Sequence, residues 1–396
     1  MHGPKSLARR TLLASCTAHA LHDGYTDLIY VLLPIWRAEF AIGYAMLATL
    51  RGLYAGAMAG LQVPAARVAE RLGGRRLLVL GTVVAALGYS FAGMTGNLVG
   101  LAIALAISGA GASVQHPIGS SAVSRAYAAG GARAALGTYN FSGDLGKAAI
   151  PALLSLLLTF VAWRTAVWWL AGAGLVVAAS VAALMPVTGR PPTTSARTAR
   201  PRLGARRAAF SLLMSIGILD TGVRMGLLTF LPFLLQRKGA TGTTIGLALA
   251  LVFIGGAGGK FLCGWLGHRV GVLWTVVLTE GGTAACIMAV LALSLAPTLV
   301  LLPVLGVMLN GTSSVLYGTV PELVPDHRAE RAFAVFYTGT IGSGAVSPIL
   351  FGLLGNAAGP LWATAATAIA ATATLPLVFA LAPHLAEPPQ PIEAST

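Results

Sequence analysis

Charge is what this sequence has least of. Only 10% of its 396 residues are Asp, Glu, Lys or Arg, against 56% that are hydrophobic, and just 12 are acidic. So few ionisable groups cannot clothe a soluble globule of this length, which excludes a water-soluble fold and points to lipid. Cysteine is scarce too: Cys16, Cys263 and Cys286 are scattered without metal-ligand spacing, so neither a disulfide framework nor a metal site is indicated. The ten-residue alternation of an outer-membrane barrel is missing. No His-Glu-x-x-His run and no persuasive Ser-His-Asp context occurs, and no soluble signalling domain is appended, which argues against a membrane enzyme or a sensor. No cofactor and no metal is expected.

What is present is a succession of apolar runs. Twelve segments, at about 11–36, 44–66, 77–95, 98–123, 134–160, 163–186, 209–235, 242–266, 272–295, 298–320, 332–357 and 359–383, are each long enough to cross roughly 30 Å of hydrocarbon as a helix. Backbone groups in lipid must be satisfied internally, so helices are the expected form. Lys5, Arg9 and Arg10 before Thr11 imitate a secretion signal, but the apolar character runs on to Trp36, and the segment reads as a retained first span.

The net charge of +14 invites a nucleic-acid reading that the positions of the basic residues argue against. They alternate with topology: Lys5, Arg9, Arg10, Arg67, Arg71, Arg75 and Arg76 fall on one side, whereas Arg37, Arg164, Arg237 and Lys238 fall on the other. The positive-inside rule then puts both termini in the cytoplasm. Residues 187–208, rich in Pro, Thr and Arg, read as a cytoplasmic linker between bundles at 1–186 and 209–386. The acidic tail 387–396 reads as disordered.

Function is expected where charge is tolerated inside an apolar run, because a mid-bilayer ionisable group costs about 2.5–3.5 kcal/mol on insertion scales and is retained facing a partner or a wet cavity. The first run carries four. His19, Asp23 and Asp27, spaced four apart, share one helix face, and His22 projects about 100° away from Asp23. They are candidate proton-coupling groups; a permanent ion pair with Arg51, Lys147 or a histidine is the competing structural account for the carboxylates. His116 precedes Pro117, whose missing N–H kinks a helix and frees carbonyls beside the imidazole. Arg51 and Arg224 are the candidate anion contacts, since a guanidinium offers a fixed fork for carboxylate oxygens; pairing with Asp27 or Asp220 is the alternative. Gln115, His116, Asp144, Lys147 and Asn310 complete the candidate solute site. Lys260 and Glu280 are expected to pair between the eighth and ninth helices.

One motif recurs. Ala66-Arg67-Val68-Ala69-Glu70-Arg71-Leu72-Gly73-Gly74-Arg75-Arg76 returns, weakened, as Gly264-Trp265-Leu266-Gly267-His268-Arg269-Val270-Gly271. The pattern resembles the loop between helices two and three of major facilitator transporters and its second-half counterpart. That resemblance implies an all-α integral membrane fold of twelve transmembrane helices in two pseudo-symmetric six-helix bundles. It also implies an inner-gate role for Glu70, Arg71, Arg75, His268 and Arg269, with the loop from Glu322 to Arg331 as a partner.

Three further blocks resemble the fosmidomycin-resistance branch of that superfamily: His19 to Asp23 with Leu33-Pro34 and Phe40; Gly109-Ala110-Gly111-Ala112-Ser113-Val114-Gln115-His116-Pro117; and Phe141-Ser142-Gly143-Asp144-Leu145-Gly146. Arg224 with Thr229-Phe230-Leu231-Pro232 fits as well. The resemblance implies export of a small molecule by proton exchange across a bacterial inner membrane. Ile118 stands where the branch commonly has an acid and Asp144 where it has Asn, with Lys147 one turn later, so the substrate is expected to differ. The sequence-level expectation is a monomeric, proton-coupled secondary transporter of a small anionic or zwitterionic solute, an exporter or, alternatively, a proton-linked importer.

Overall fold

The computed structural model describes residues 4–128, 130–186, 204–323 and 329–385. Expectations placed on the linker 187–203, the tail from 386, the loop 324–328 and the side chains of His268, Glu322, Glu330 and Arg331 fall outside the described part of the chain. Among the described residues there are helices and no strands.

The first run becomes α1 (Pro4–Asp27) and α2 (Ile29–Phe40), a nearly continuous rod that changes hydrogen-bond register at Leu28, one residue past Asp27. It is followed by α3 (Tyr44–Leu72), α4 (Gly74–Met94), α5 (Leu98–Ala112), α6 (Gln115–Ala126), α7 (Ala132–Leu157) and α8 (Trp163–Leu184). Then come α9 (Gly204–Arg237), α10 (Gly242–Ala292), α11 (Leu295–Thr319), α12 (Ala329–Ala358), α13 (Pro360–Thr372) and α14 (Thr374–Leu381). α9 begins at Gly204, so helix takes over the last residues assigned to the linker.

The 51 residues of α10 amount to about 77 Å of helix, more than twice the hydrocarbon thickness. The chain folds back at Gly271, whose φ of +84° is left-handed backbone that favours glycine, and two spans result, Gly242–Gly267 and Arg269–Ala292. Gly73, between α3 and α4, also has φ +84°. The two copies of the loop motif thus turn on a glycine in the same backbone conformation.

Nine segments among the described residues are long and apolar enough to cross a membrane: the two from α10, and those over α4, α5–α6, α8, α9, α11, α12 and α13–α14. The long helical stretches outside that set, α1–α2, α3 and α7, are the ones interrupted by His19, His22, Asp23, Asp27, Arg51, Asp144 and Lys147. The outer surface is apolar, with Met94, Phe160, Val300 and Trp362 exposed, as a lipid-facing surface must be.

Helices α1–α8 meet α9–α14 along two seams, α3 against α12 and α7 against α10. The join is one-sided. At the end holding Ala41–Gly43, Gly239 and Gly359, one hydrophobic core runs through both halves, uniting Leu47 and Leu154 with Leu227, Phe230 and Ile245. There the Tyr44 amide donates to Asn356 Oδ1 at 2.7 Å, and the Tyr44 ring meets Phe230 and Phe233. At the arginine-loop end the core splits into separate clusters, Leu78, Ile118 and Val181 in one half and Leu213, Leu316 and Phe336 in the other.

Candidate functional site

The site is built where α1 and α7 approach most closely. A Cβ on Gly146 would land on the Ala20 carbonyl and one on Gly143 would strike Asp23 and His19, so only glycine lets the two backbones close to this distance. That approach brings Lys147, one turn past Gly143, to Asp23: Nζ lies 3.2 Å from Oδ2. His19 Nε2 sits 3.3 Å from the same oxygen and His116 Nε2 3.7 Å from Oδ1, drawn in from α6. A chain of charges then runs on: Lys147 lies 3.7 Å from Asp144 Oδ1, and Lys260 on α10 donates to both Asp144 oxygens at 2.6 and 2.8 Å.

The expected face is realised. His19 and Asp23 lie together on the stripe, while His22 turns away and pairs through Nε2 with Thr82 Oγ1 on α4 at 3.0 Å. Asp27, one turn on, is buried with no hydrogen bond or ion pair among the described residues; Lys147, Arg51 and Arg224 are its charged neighbours. The Asp23 and Asp144 carboxylates are nearly enclosed, yet His116, Lys147 and Lys260 show 43%, 30% and 35% of their side chains to solvent. Polar groups so exposed, held against buried carboxylates at the seam of the two halves, line a solvent-reachable hollow.

Arg51 donates to the Gly344 carbonyl at 3.3 Å, contacts the Met225 sulfur at 3.1 Å and lies over the Tyr30 ring, so it joins the halves and pairs with no acid. Arg224 reaches Asn310 Oδ1 at 3.5 Å, a long contact. Among the described residues neither guanidinium Nε has a partner. The alternative pairings, of Arg51 with Asp27 and of Arg224 with Asp220, are therefore not formed as ion pairs. Gln115 is wholly buried, donating to Tyr139 Oη at 3.3 Å; it braces the site from behind and does not line the hollow.

One expectation is corrected outright. Lys260 pairs with Asp144, not with Glu280, because its side chain points across the α7–α10 seam. Glu280 instead meets Asp220 of α9 within hydrogen-bonding reach, beside Thr312, and no Lys, Arg or His lies within ion-pair distance of either acid among the described residues. Sequence reasoning also missed Tyr139, whose carbonyl accepts from His19 Nδ1 at 2.8 Å and whose ring stacks on that imidazole. Its signal was available: Tyr139, Gly143 and Lys147 repeat every four residues on α7.

Among the described residues, Glu70, Arg71, Arg75 and Arg269 make no hydrogen bond or ion pair across the interface in this conformation. Glu70 and Arg71 are exposed, Arg75 donates to the Ala182 carbonyl within its own half, and Arg269 stacks on Trp265. This fits the divided core at that end.

A family model described as Major Facilitator Superfamily matches residues 16–219 and again 213–395. The chain belongs to the Major Facilitator Superfamily. Members of that superfamily are multi-pass membrane transporters of small molecules rather than enzymes. The fold is similar to that of a bacterial homologue of the human lysosomal transporter Spinster. In its inward-facing unoccupied conformation the TM-score is 0.77 at 16% identity, covering 96% of this chain and 98% of that one. In its inward-facing occupied conformation the values are 0.78 and 15%, covering 97% and 98%. A cephamycin export protein of Amycolatopsis lactamdurans is 32% identical over 161 residues, which is 40% of this chain and 33% of that protein. The match thus spans about a third of that relative's length.

Proposed function

We propose that this superfamily member is a proton-coupled secondary transporter that moves a small anionic or zwitterionic solute by alternating access. Twelve spans form two bundles, 1–186 and 209–386, joined by a cytoplasmic linker at 187–208 and followed by the tail 387–396. It works as a monomer in a bacterial inner membrane with both termini in the cytoplasm, and it engages lipid, protons and solute but no nucleic acid. The observation that carries the reading is the Asp23 network: a carboxylate shared by His19, His116 and Lys147 beside a hollow that water reaches. Buried polar groups are costly in lipid unless they face such a space.

The solute class is supported by Arg51 and Arg224, whose unpartnered Nε groups leave donors free for an anion, and by Asp27, which offers a site for an ammonium. Because the one-sided join leaves the halves with separate cores at the arginine-loop end, the solute enters from the cytoplasm in this state, with Glu70, Arg71, Arg75, His268 and Arg269 closing that end in the opposite state. Export by proton exchange is favoured, supported by the partial likeness to a cephamycin exporter. Proton-linked uptake is the second reading, favoured by the guanidiniums beside Asp27: an anion carried with a proton leaves the hollow with less net charge to bury.

The test is substrate-dependent proton movement in reconstituted vesicles carrying an entrapped pH dye, screened against organic acids, amino-acid-like solutes and antibiotics. Asp23→Asn is expected to abolish the coupled pH signal. Coupled flux that survives this substitution would falsify coupling through α1.

A further inference from the structure

Two imidazoles and a carboxylate from α1 and α6 point their free atoms at one another. His19 Nε2 and Asp23 Oδ2 are 3.3 Å apart, His116 Nε2 and Asp23 Oδ1 are 3.7 Å apart, and one donor atom from each of the three residues can be chosen so that all lie within 4.8 Å of one another. Ligands bonded to a common zinc-class ion at about 2.0–2.1 Å in tetrahedral array stand about 3.3 Å apart, so the two imidazole–carboxylate separations are close to those of a metal site, and the 4.8 Å span of the whole cluster requires side-chain closure of up to about 1.5 Å.

A second observation concerns the tautomer. The Tyr139 carbonyl can only accept, so His19 Nδ1 carries a hydrogen, and in the neutral ring Nε2 presents a lone pair toward the Asp23 carboxylate. Two lone pairs face each other unless a proton on Nε2 or a metal ion lies between them, Lys147 reaching Oδ2 from α7. Donation of the distal ring N–H to a backbone carbonyl is the outer-shell arrangement that orients metal-bound histidines. Tyr139 also stacks on the ring with centroids 4.1 Å apart, which holds the orientation.

We propose that His19, Asp23 and His116 bind a divalent transition-metal ion, with an open coordination position toward the hollow. Two imidazoles with one carboxylate suit zinc, cobalt or nickel better than calcium or magnesium, which prefer all-oxygen cages. His19 and Asp23 are buried and preoriented, whereas His116 keeps 43% of its side chain exposed, so the site is reached from solvent and is completed by water or solute. His22 faces α4 and bonds Thr82, so it is not a fourth ligand. The opposing charge is Lys147 of α7, on Asp23 Oδ2 at 3.2 Å; it has Asp144 within 3.7 Å as an alternative partner, although Lys260 of α10 already occupies that carboxylate. Metal and Lys147 therefore compete for Asp23.

The site stands on side-chain geometry and is independent of the transport reading. The experiment is Co2+ titration of tag-free protein in detergent, followed by visible d–d absorption and by calorimetry. One Co2+ per chain is expected, displaced by Zn2+. His116→Ala loses the absorption while leaving the thermal unfolding midpoint in place, because that ring is half open to solvent. Lys147→Gln tightens binding, which a merely structural cluster would not do. No stoichiometric Co2+ uptake by the wild type, or uptake indifferent to His116→Ala, overturns the site. Proton-coupled flux measured on the same preparations separates the two ideas, since flux without metal binding removes this site alone.

Discussion

The charged cluster joining α1, α7 and α10 and the acid pair between α9 and α10 handle buried charge in opposite ways. On the α1–α7 side every acid of the main cluster has a cation: Asp23 holds Lys147, and Asp144 holds Lys260 and Lys147. On the α9–α10 side Asp220 and Glu280 face each other and Arg224, one turn from Asp220, reaches only Asn310. The first region is a closed electrostatic circuit that resists losing a member; the second leaves a cation uncommitted, and an uncommitted buried guanidinium is what an anionic solute can use.

The contrast is broken most forcefully at Asp23. Asp23→Asn removes the closer partner of Lys147 and leaves it only the 3.7 Å contact to Asp144, which Lys260 already occupies; breaking one partner of a buried pair costs about 3–5 kcal/mol. Because Lys147 is nearly a third exposed, a loss of about 2–3 kcal/mol is the discounted expectation, read as a fall in the thermal unfolding midpoint in detergent. Adding Lys147→Met should restore most of it. A double variant no more stable than Asp23→Asn would show that the circuit does not hold the fold.

Arg224→Ala sharpens the other side. Loss of charged hydrogen bonds of about 1.5–3 kcal/mol should weaken solute binding roughly 10- to 100-fold, with unfolding little changed because no ion pair is broken. Equal losses in binding and stability would make Arg224 a structural residue.

Asn356→Ala tests the one-sided join. Removing the acceptor of the Tyr44 amide should shift the balance between open states by about 1 kcal/mol, seen as longer spin-label distances between the ends of α3 and α12 near Gly43 and Asn356. Distances that stay fixed would mean the shared apolar core alone closes that end.

The smallest effect belongs to Glu39, at the end of α2 beyond the span. Hydrogen bonds from Arg164 at 2.5 Å, and from Trp163 at 2.6 Å, hold its carboxyl below the ordinary value of 4.5. A lowered carboxyl contributes stability above pH 4.5 that is lost as pH falls through the lowered value. With both side chains about one-third exposed, the contribution is under about 1 kcal/mol, and Glu39→Gln should flatten the acid limb of the stability curve. An unchanged acid limb would leave the pair without energetic weight.

Much of the molecule was readable before any coordinates. Apolar run lengths located the helices to within several residues, and the period of four on the first run placed His19, Asp23 and Asp27 on one face with His22 off it. Those are local properties: rise per residue and angle per residue depend on the backbone alone. The doubled loop motif turns on a glycine in both copies, and Gly73 and Gly271 share a φ of +84°.

Partner choice was not local. Lys260 was matched with Glu280 by proximity along the helix order, yet the α7–α10 seam delivers it to Asp144, more than a hundred residues away. His116 joins His19 and Asp23 only because α6 packs on α1, and Tyr139 serves His19 through a carbonyl, a group every residue has and no side-chain pattern reveals. Sequence by itself determined that the chain lives in lipid, where its helices run and which stripe of the first helix carries its ionisable groups, since these follow from solvation and helical period. Only the tertiary structure decided which acid meets which base and which end is closed, because in a low-dielectric interior those choices depend on separations of a few ångströms between helices distant in the chain.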